Sequence, residues 1–303
     1  GELSLLAEDV LTEVLERWYD EADESFIRFA DNYATAKSDA PIAQMVQNLY
    51  TFSTSYPWPQ EWLQSLCVPY EPDRLTPEAL ASDDSWLQEL LVYVHAVLRG
   101  ERAQMELARR LCEEPDGPDM YLDNISYVIG QMERLDTVSD YDELGRAIDA
   151  VDFGRLGVRR GFTGDKGMQE LVKSLRTQVK DELQKLHKKY FARTLAEQTE
   201  DLVLTGQAVR VLAKLTMDYA DAYSRQKQER GLLDFSDIEH MALRILVDGQ
   251  TKEPTGVARE FQSLFEEVMI DEYQDSNYVQ EAILSAVSGG DGRDNCFMVG
   301  DVK

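Results

Sequence analysis

The spacing of apolar residues over the first 230 positions leaves little room for anything but helix. Across residues 3–36, Leu6, Val10, Val14, Leu15, Trp18, Ala22, Phe26, Phe29 and Tyr33 recur every three or four positions, with Asp and Glu on most of the other face. That period matches one stripe of an amphipathic α-helix, whereas a half-buried strand would alternate every second residue. One long helix is therefore expected there. A second is expected over 41–55, with Pro41 in its first turn, stopping before Tyr56-Pro57-Trp58-Pro59, where two prolines forbid continuation. Helix resumes at Glu61-Trp62-Leu63 and is expected again over 85–112, 120–135, 141–151, 165–191 and 195–230, with Gly, Pro and Asp clusters between.

The pattern changes after Gly231. Leu232-Leu233-Asp234-Phe235-Ser236-Asp237 reads as a capped helix start, with the helix ending near Val247. Glu267-Val268-Met269-Ile270 and Cys296-Phe297-Met298-Val299 are short β-favouring apolar runs, each leading into a carboxylate, and 278–287 between them has helical spacing. The expected unit is β-α-β, two parallel strands with a right-handed crossover. The expected fold class is thus mainly α: a large helical domain over 1–230, then a small α/β part over 231–303.

With 43% hydrophobic residues in 303, a sizeable core is available. Cys67, Cys112 and Cys296 are odd in number and never spaced as C-x-x-C, which suggests neither a disulfide framework nor a zinc site and points to a reducing cytoplasm. His95, His187 and His240 each lack a second ligand type at useful spacing. No apolar stretch approaches the roughly 20 residues of a membrane span, so no membrane partner is expected.

The net charge of −26 argues on its face against a polyanionic partner. The mean hides an asymmetry. Residues 155–193 hold eleven Lys/Arg against four acids, a local +7 that leaves −33 for the remainder. Within that segment, 154–167 is a loop both glycine-rich and basic, and Arg155, Arg159, Arg160, Lys173, Arg176, Lys180, Lys185, Lys188 and Lys189 are candidate DNA-phosphate contacts. The alternative is a solvated helix face helped by nearby acids. Tyr56, Trp58 and Trp62 could stack on bases or pack internally.

A buried strand that delivers an acid to a parallel sheet's carboxyl edge is how many nucleoside triphosphatases hold Mg²⁺ near phosphates. Asp271 stands in that position, Glu272 could polarise an attacking water, and Gln274 follows at hydrogen-bonding reach. The second strand ends in Gly300-Asp301-Val302-Lys303.

The string Asp271-Glu272-Tyr273-Gln274-Asp275 and the Gly300-Asp301-Val302-Lys303 ending resemble motifs II and III of the superfamily 1A helicases, the UvrD/Rep/RecB group. Within that group, Leu233-Asp234-Phe235-Ser236-Asp237-Ile238-Glu239-His240, and the stretch 39–63, are similar to the AddA subunits of bacterial helicase-nucleases. The resemblance implies that 1–230 is a helical 1B insertion beside the DNA path and that 231–303 is a truncated P-loop-type motor remnant. It further implies Asp271 as the Mg²⁺ ligand, Glu272 and Gln274 as catalytic, and Asp275, Gly300 and Asp301 as motif-coupling residues. For the intact parent it implies ATP and Mg²⁺ as cofactors, double-stranded DNA ends and single strands as substrate, and heterodimer formation with an AddB-like partner.

The pattern also has absences. No G-x-x-x-x-G-K-[ST] phosphate loop occurs, so these 303 residues alone are expected to be inactive and to hold no nucleotide. In the resembling sheets the motif III strand is flanked on its other side by the phosphate-loop strand, so here it is expected to pair with the motif II strand alone. Its free edge is expected to be covered by a rearranged segment, joined to a second molecule or poorly ordered. The competing expectation is a non-enzymatic acidic helical module for protein interaction.

Overall fold

The computed structural model describes residues 1–35, 38–289 and 294–301. Thirteen helices of the α type lie among them: α1 Glu2–Glu21, α2 Glu24–Tyr33, α3 Ala40–Ser53, α4 Pro59–Ser65, α5 Pro77–Leu80, α6 Trp86–Glu113, α7 Leu122–Leu135, α8 Tyr141–Asp149, α9 Lys166–Tyr190, α10 Leu195–Arg230, α11 Phe235–Leu246, α12 Gly256–Leu264 and α13 Tyr278–Val287. The strands are β1 Val268–Ile270 and β2 Cys296–Met298. Before residue 231 the described residues contain no strand, only an isolated bridge between Thr35 and Ser38.

The expected single helix over 3–36 is two. Ala22 adopts the left-handed conformation (φ 49°), and the Asp23 side chain then accepts from the amides of Ser25 and Phe26, ending one helix and starting the next. The apolar spacing survives the break because Trp18 and Tyr19 pack edge-on against Phe26 across it, with ring centroids 5.2 and 4.9 Å apart. Helix α12, capped by Thr255, has no counterpart among the sequence expectations.

The chain divides into two compact units, Gly1–Tyr70 with Thr205–Lys303, and Glu71–Leu204. The cut falls elsewhere than the boundary expected near residue 230, although the residues after that boundary gather a core cluster of their own. In the first unit, Leu6, Val10, Val14 and Trp18 of α1, Phe26 and Phe29 of α2, Ile42 and Val46 of α3, and Leu215 and Tyr219 of α10 form one core. A second, smaller cluster joins Leu243 and Leu246 of α11, Ala258 of α12, and Val279 and Val287 of α13. The second unit packs α6, α7, α8 and α9 around Val94, Leu98, Met105, Ile125, Val128, Leu144, Val172 and Val179.

Where α10 meets α11, the Lys227 ammonium is buried and donates to Asp234 at 2.8 Å and to both oxygens of Asp237 at 2.7 and 2.6 Å. Those carboxylates also cap α11: Asp234 accepts from the Asp237 amide, and Asp237 accepts from the Asp234 amide. Burial alone would depress the Lys227 pKa, but the hydrogen bonds to Asp234 and Asp237 outweigh it and raise the pKa above the ordinary lysine value. Burial alone would raise the Asp234 pKa, but the bonds from Lys227 and the Asp237 amide hold it below the ordinary carboxyl value.

Lys227→Met leaves two carboxylates without their counter-charge. It should destabilise the chain by about 3 kcal/mol, the lower end for breaking a buried pair, since both acids keep some solvent contact. Urea unfolding measures this. The Asp234 contribution should be present above pH ~4 and be lost as pH falls through its depressed folded pKa. The Lys227 contribution should be present below pH ~10.4 and be lost as pH rises through its raised folded pKa. The wild-type advantage over Lys227→Met should therefore be flat between those limits and shrink outside them.

Candidate functional site

Two surfaces carry the expected chemistry, one in each unit. In the first unit, β1 and β2 run parallel with Val268 opposite Cys296, Met269 opposite Phe297 and Ile270 opposite Met298. Both strands consequently deliver their following residues to the same end. The Val299 amide donates to the Ile270 carbonyl at 2.8 Å, and the Tyr273 amide donates to the Val299 carbonyl at 2.9 Å, so the ladder continues into the turn.

Asp271 leaves β1 as an exposed carboxylate whose Oδ1 accepts from the Glu272 amide at 2.9 Å. Glu272 sits in the left-handed region (φ 53°), a conformation that strains a side-chain-bearing residue and recurs at functional turns. The strain swings the chain into a short 3₁₀ turn, Tyr273–Asp275, closed by the Asp275 amide donating to the Glu272 carbonyl at 2.9 Å.

Gln274 ties the pieces together. Its Nε2 donates to the Glu272 carboxylate, while its Oε1 accepts from the Asp301 amide at 2.8 Å. Gly300 makes that approach possible: a Cβ there would collide with Gln274 Oε1 and stand 3.0 Å from the Gln274 backbone nitrogen. Asn277 then caps α13, and its Nδ2, with the Gln280 Nε2, donates to Glu239 of α11 at 3.1 and 2.7 Å. The segment expected to carry Asp271, Glu272, Gln274, Asp275, Gly300 and Asp301 is therefore a single bonded edge.

Among the described residues no group of three or more His, Cys, Asp or Glu could hold a metal ion by itself. A hard divalent cation of the magnesium type commonly takes only one or two protein carboxylates and completes its shell with phosphate and water oxygens. The Asp271 carboxylate suits that kind of site.

As expected, β2 pairs with β1 alone among the described residues. No rearranged segment covers β2 among the described residues; Phe297 is 63% exposed, and Met298 and Val299 are exposed as well. The aromatic run packs on itself: Trp62 stacks on Tyr56 and Tyr56 on Tyr278, at centroid distances of 4.6 and 4.8 Å, and the Lys252 ammonium lies 3.9 Å from the Trp58 ring centre while pairing with Glu61.

In the second unit the basic residues separate into kinds. Arg176 is structural: Nε donates to Asn124 Oδ1 at 3.0 Å, and Nη2 donates to the carbonyls of Phe153 and Gly154 at 2.6 and 2.9 Å. Its desolvation lowers the guanidinium pKa. Arg159 pairs with Asp119, Lys173 with Glu170 and Lys185 with Glu182, and the Lys189 ammonium lies over the Tyr190 ring. Arg155, Lys180 and Lys188 are exposed, as is Arg160, and none has an ion-pair partner among the described residues. Lys227 escaped sequence reasoning because it lies in the polar spacing of a long helix; its only signal was two acids seven and ten residues on, inside a capping motif.

Replacing Gly300 by Ala should displace the Gln274 side chain and free the Asp301 amide. Hydrogen exchange at Asp301 should accelerate about tenfold, the loss of a bond worth about 1.4 kcal/mol, and to the same extent in Gln274→Ala. No acceleration in either variant would show that the bond does not hold the edge.

Residues 84–303 match the family model described as UvrD/REP helicase N-terminal domain. The chain is 40% identical over 315 residues to the A subunit of the ATP-dependent helicase/nuclease of Lachnoclostridium phytofermentans, covering 100% of this chain and 22% of that protein. It is 38% identical over 311 residues to the corresponding protein of Geobacillus kaustophilus and 33% identical over 311 residues to that of Oceanobacillus iheyensis, covering in each case 100% of this chain and 25% of the relative. The chain spans about a quarter of the length of the curated relatives it matches.

Proposed function

The chain belongs to the UvrD/REP helicase family, and on that premise we propose that it serves an ATP-dependent DNA helicase/nuclease subunit that opens and processes double-stranded ends for recombinational repair. The observation that carries this reading is the parallel pairing of β1 with β2, which sets the Asp271–Asp275 turn beside Gly300-Asp301 and lets Gln274 bond both. A coincidental Asp-Glu dipeptide would not bring that second motif to the same edge.

Asp271 would hold a magnesium ion shared with nucleotide phosphates; when bound, the ion neutralises charge that develops on the transferred phosphoryl group. Glu272 accepts one bond from Gln274, which leaves its other oxygen to take the proton of an attacking water. Gln274, Asp275, Gly300 and Asp301 couple the two strand ends, because a shift of either changes the bonds at Gln274. Residues up to about 230 act as the 1B insertion and 231–303 as part of motor domain 1A. The unit that carries Arg155, Arg159, Arg160, Lys173, Lys180, Lys185, Lys188 and Lys189 faces DNA, and Arg176 holds the loop on which the first three stand. An AddB-like partner completes the assembly. None of the described helices is long and apolar enough to cross a membrane.

In the full-length protein, Glu272→Gln should lower ATP-driven unwinding of blunt duplex at least ~100-fold, in the range of losing a general base, while Mg-ATP binding measured by a fluorescent analogue persists. Unwinding at the parental rate would defeat the proposal. The 303 residues alone, with no phosphate-loop sequence, should release no phosphate above background with or without DNA.

A further inference from the structure

Residues 150–165 join α8 to α9 with neither helix nor strand. Loops beyond about 12–15 residues are uncommon in compact domains unless they are functional or disordered. This one is built. At its start, the Gln131 side chain donates to the Asp152 carbonyl at 2.8 Å and accepts from its amide at 2.9 Å, as a neighbouring strand would. Asn124 and Arg176 both donate to the Phe153 carbonyl, at 2.7 and 2.6 Å. At its end, the Asp165 amide donates to the Asp116 carbonyl at 2.7 Å. Gly157 and Gly164 press against the Met120 and Asp116 carbonyls, where a Cβ could not fit.

Between those anchors the loop displays Arg155, Val158 and Arg160. Val158 is 90% exposed, and neither arginine has an ion-pair partner among the described residues, although the chain carries 57 acids. On α9, Lys173 and Lys185 are paired with acids and Arg176 is spent on the loop's own backbone, which leaves Lys180 and Lys188 as single ammonium donors; on the loop, Arg159 is spent on Asp119 and the two free guanidinium forks remain. Arginine forks suit phosphate oxygens better than lysine does, and holding them on a fixed backbone lowers the entropy lost on binding. Two guanidinium groups flanking an apolar tip match a minor groove, with phosphates on both walls and sugar and base edges between.

We propose that this loop, rather than the face of α9, grips duplex DNA, with Arg155 and Arg160 on phosphates across a groove that Val158 enters. The proposal rests on the reading that this unit faces DNA, and it assigns the contact within it. The test is fluorescence anisotropy of the 303-residue chain on a labelled duplex over a series of salt concentrations. Arg155→Glu with Arg160→Glu should weaken binding more than ~10-fold at low salt and flatten the logarithmic salt slope by about 2. Lys180→Glu with Lys188→Glu makes the same charge change on α9 and should weaken binding less than ~3-fold. Val158→Asp should weaken it, and Val158→Thr should not. Melting temperatures should stay at the parental value in all four, since none of these side chains has a hydrogen-bond or ion-pair partner to lose among the described residues. Equal losses from the loop and helix reversals, or parental affinity in the loop variant, would overturn the assignment to the loop while leaving the DNA-facing reading intact. A parental chain that binds no duplex at all would overturn that reading and the assignment with it.

Discussion

One buried ammonium organises the path from the helical core to the strand-bearing end of the first unit. Lys227 is nearly the last residue of α10, and its ammonium lies over Tyr223, one turn on from the Leu215 and Tyr219 that the helix gives to the core. By binding Asp234 and Asp237 it fixes the two residues that start α11, so helix direction and capping are decided by the same three side chains. From α11, Glu239 holds Asn277 and Gln280 at the start of α13, and α13 is the spacer between β1 and β2. Hydrogen bonds thus lead in a few steps from a buried lysine to the turn that bears Glu272. A buried charge cluster is weak evidence of net stabilisation, since apolar side chains of like volume can serve as well. What it supplies here is placement: an apolar contact would tolerate a rotation of α11 that three directed bonds do not.

Much of this was legible in the sequence wherever the signal was local. The helix over 278–287 and the helix over 195–230 lie where their periodicity placed them, because each is bounded by a cap, a proline-poor interior and a glycine or polar stop. The strands were legible because β-branched and sulfur-containing apolar runs ended at carboxylates. The break at Ala22 was not, because a single left-handed residue shifts the chain without disturbing the apolar count. The division of the chain into units was not legible either: residues 1–70 and 205–303 belong together through contacts between positions some 200 apart, such as Trp18 Nε1 donating to Asp218 at 3.0 Å. Periodicity carries no record of which stripe meets which.

Among the candidate site residues, placement at the strand ends was legible and engagement was not. Asp271, Glu272 and Gln274 announce themselves by order and strand context, yet nothing in a string of letters says that Gln274 spends both ends of its amide, one on Glu272 and one on Asp301. Likewise Arg176 looks like one more cation in a basic helix. Its three bonds to Asn124, Phe153 and Gly154 engage its guanidinium and turn it into the support of the loop before it.

The charge distribution gives that support a physical purpose. With −33 outside residues 155–193, any polyanion that approaches at a distance meets a repulsive mean field, screened within about 8–10 Å at physiological salt. Attraction must therefore be short-ranged and come from groups that stand clear of the acids. A cation on a helix face has acids one turn away, and Lys173 and Lys185 are paired in just that way with Glu170 and Glu182. On the anchored loop Arg159 is taken by Asp119, but Arg155 and Arg160 keep their donors free. The same acidity that makes loose binding unfavourable makes the few unpaired guanidinium groups selective, because only a partner shaped to reach them gains anything by coming within a Debye length.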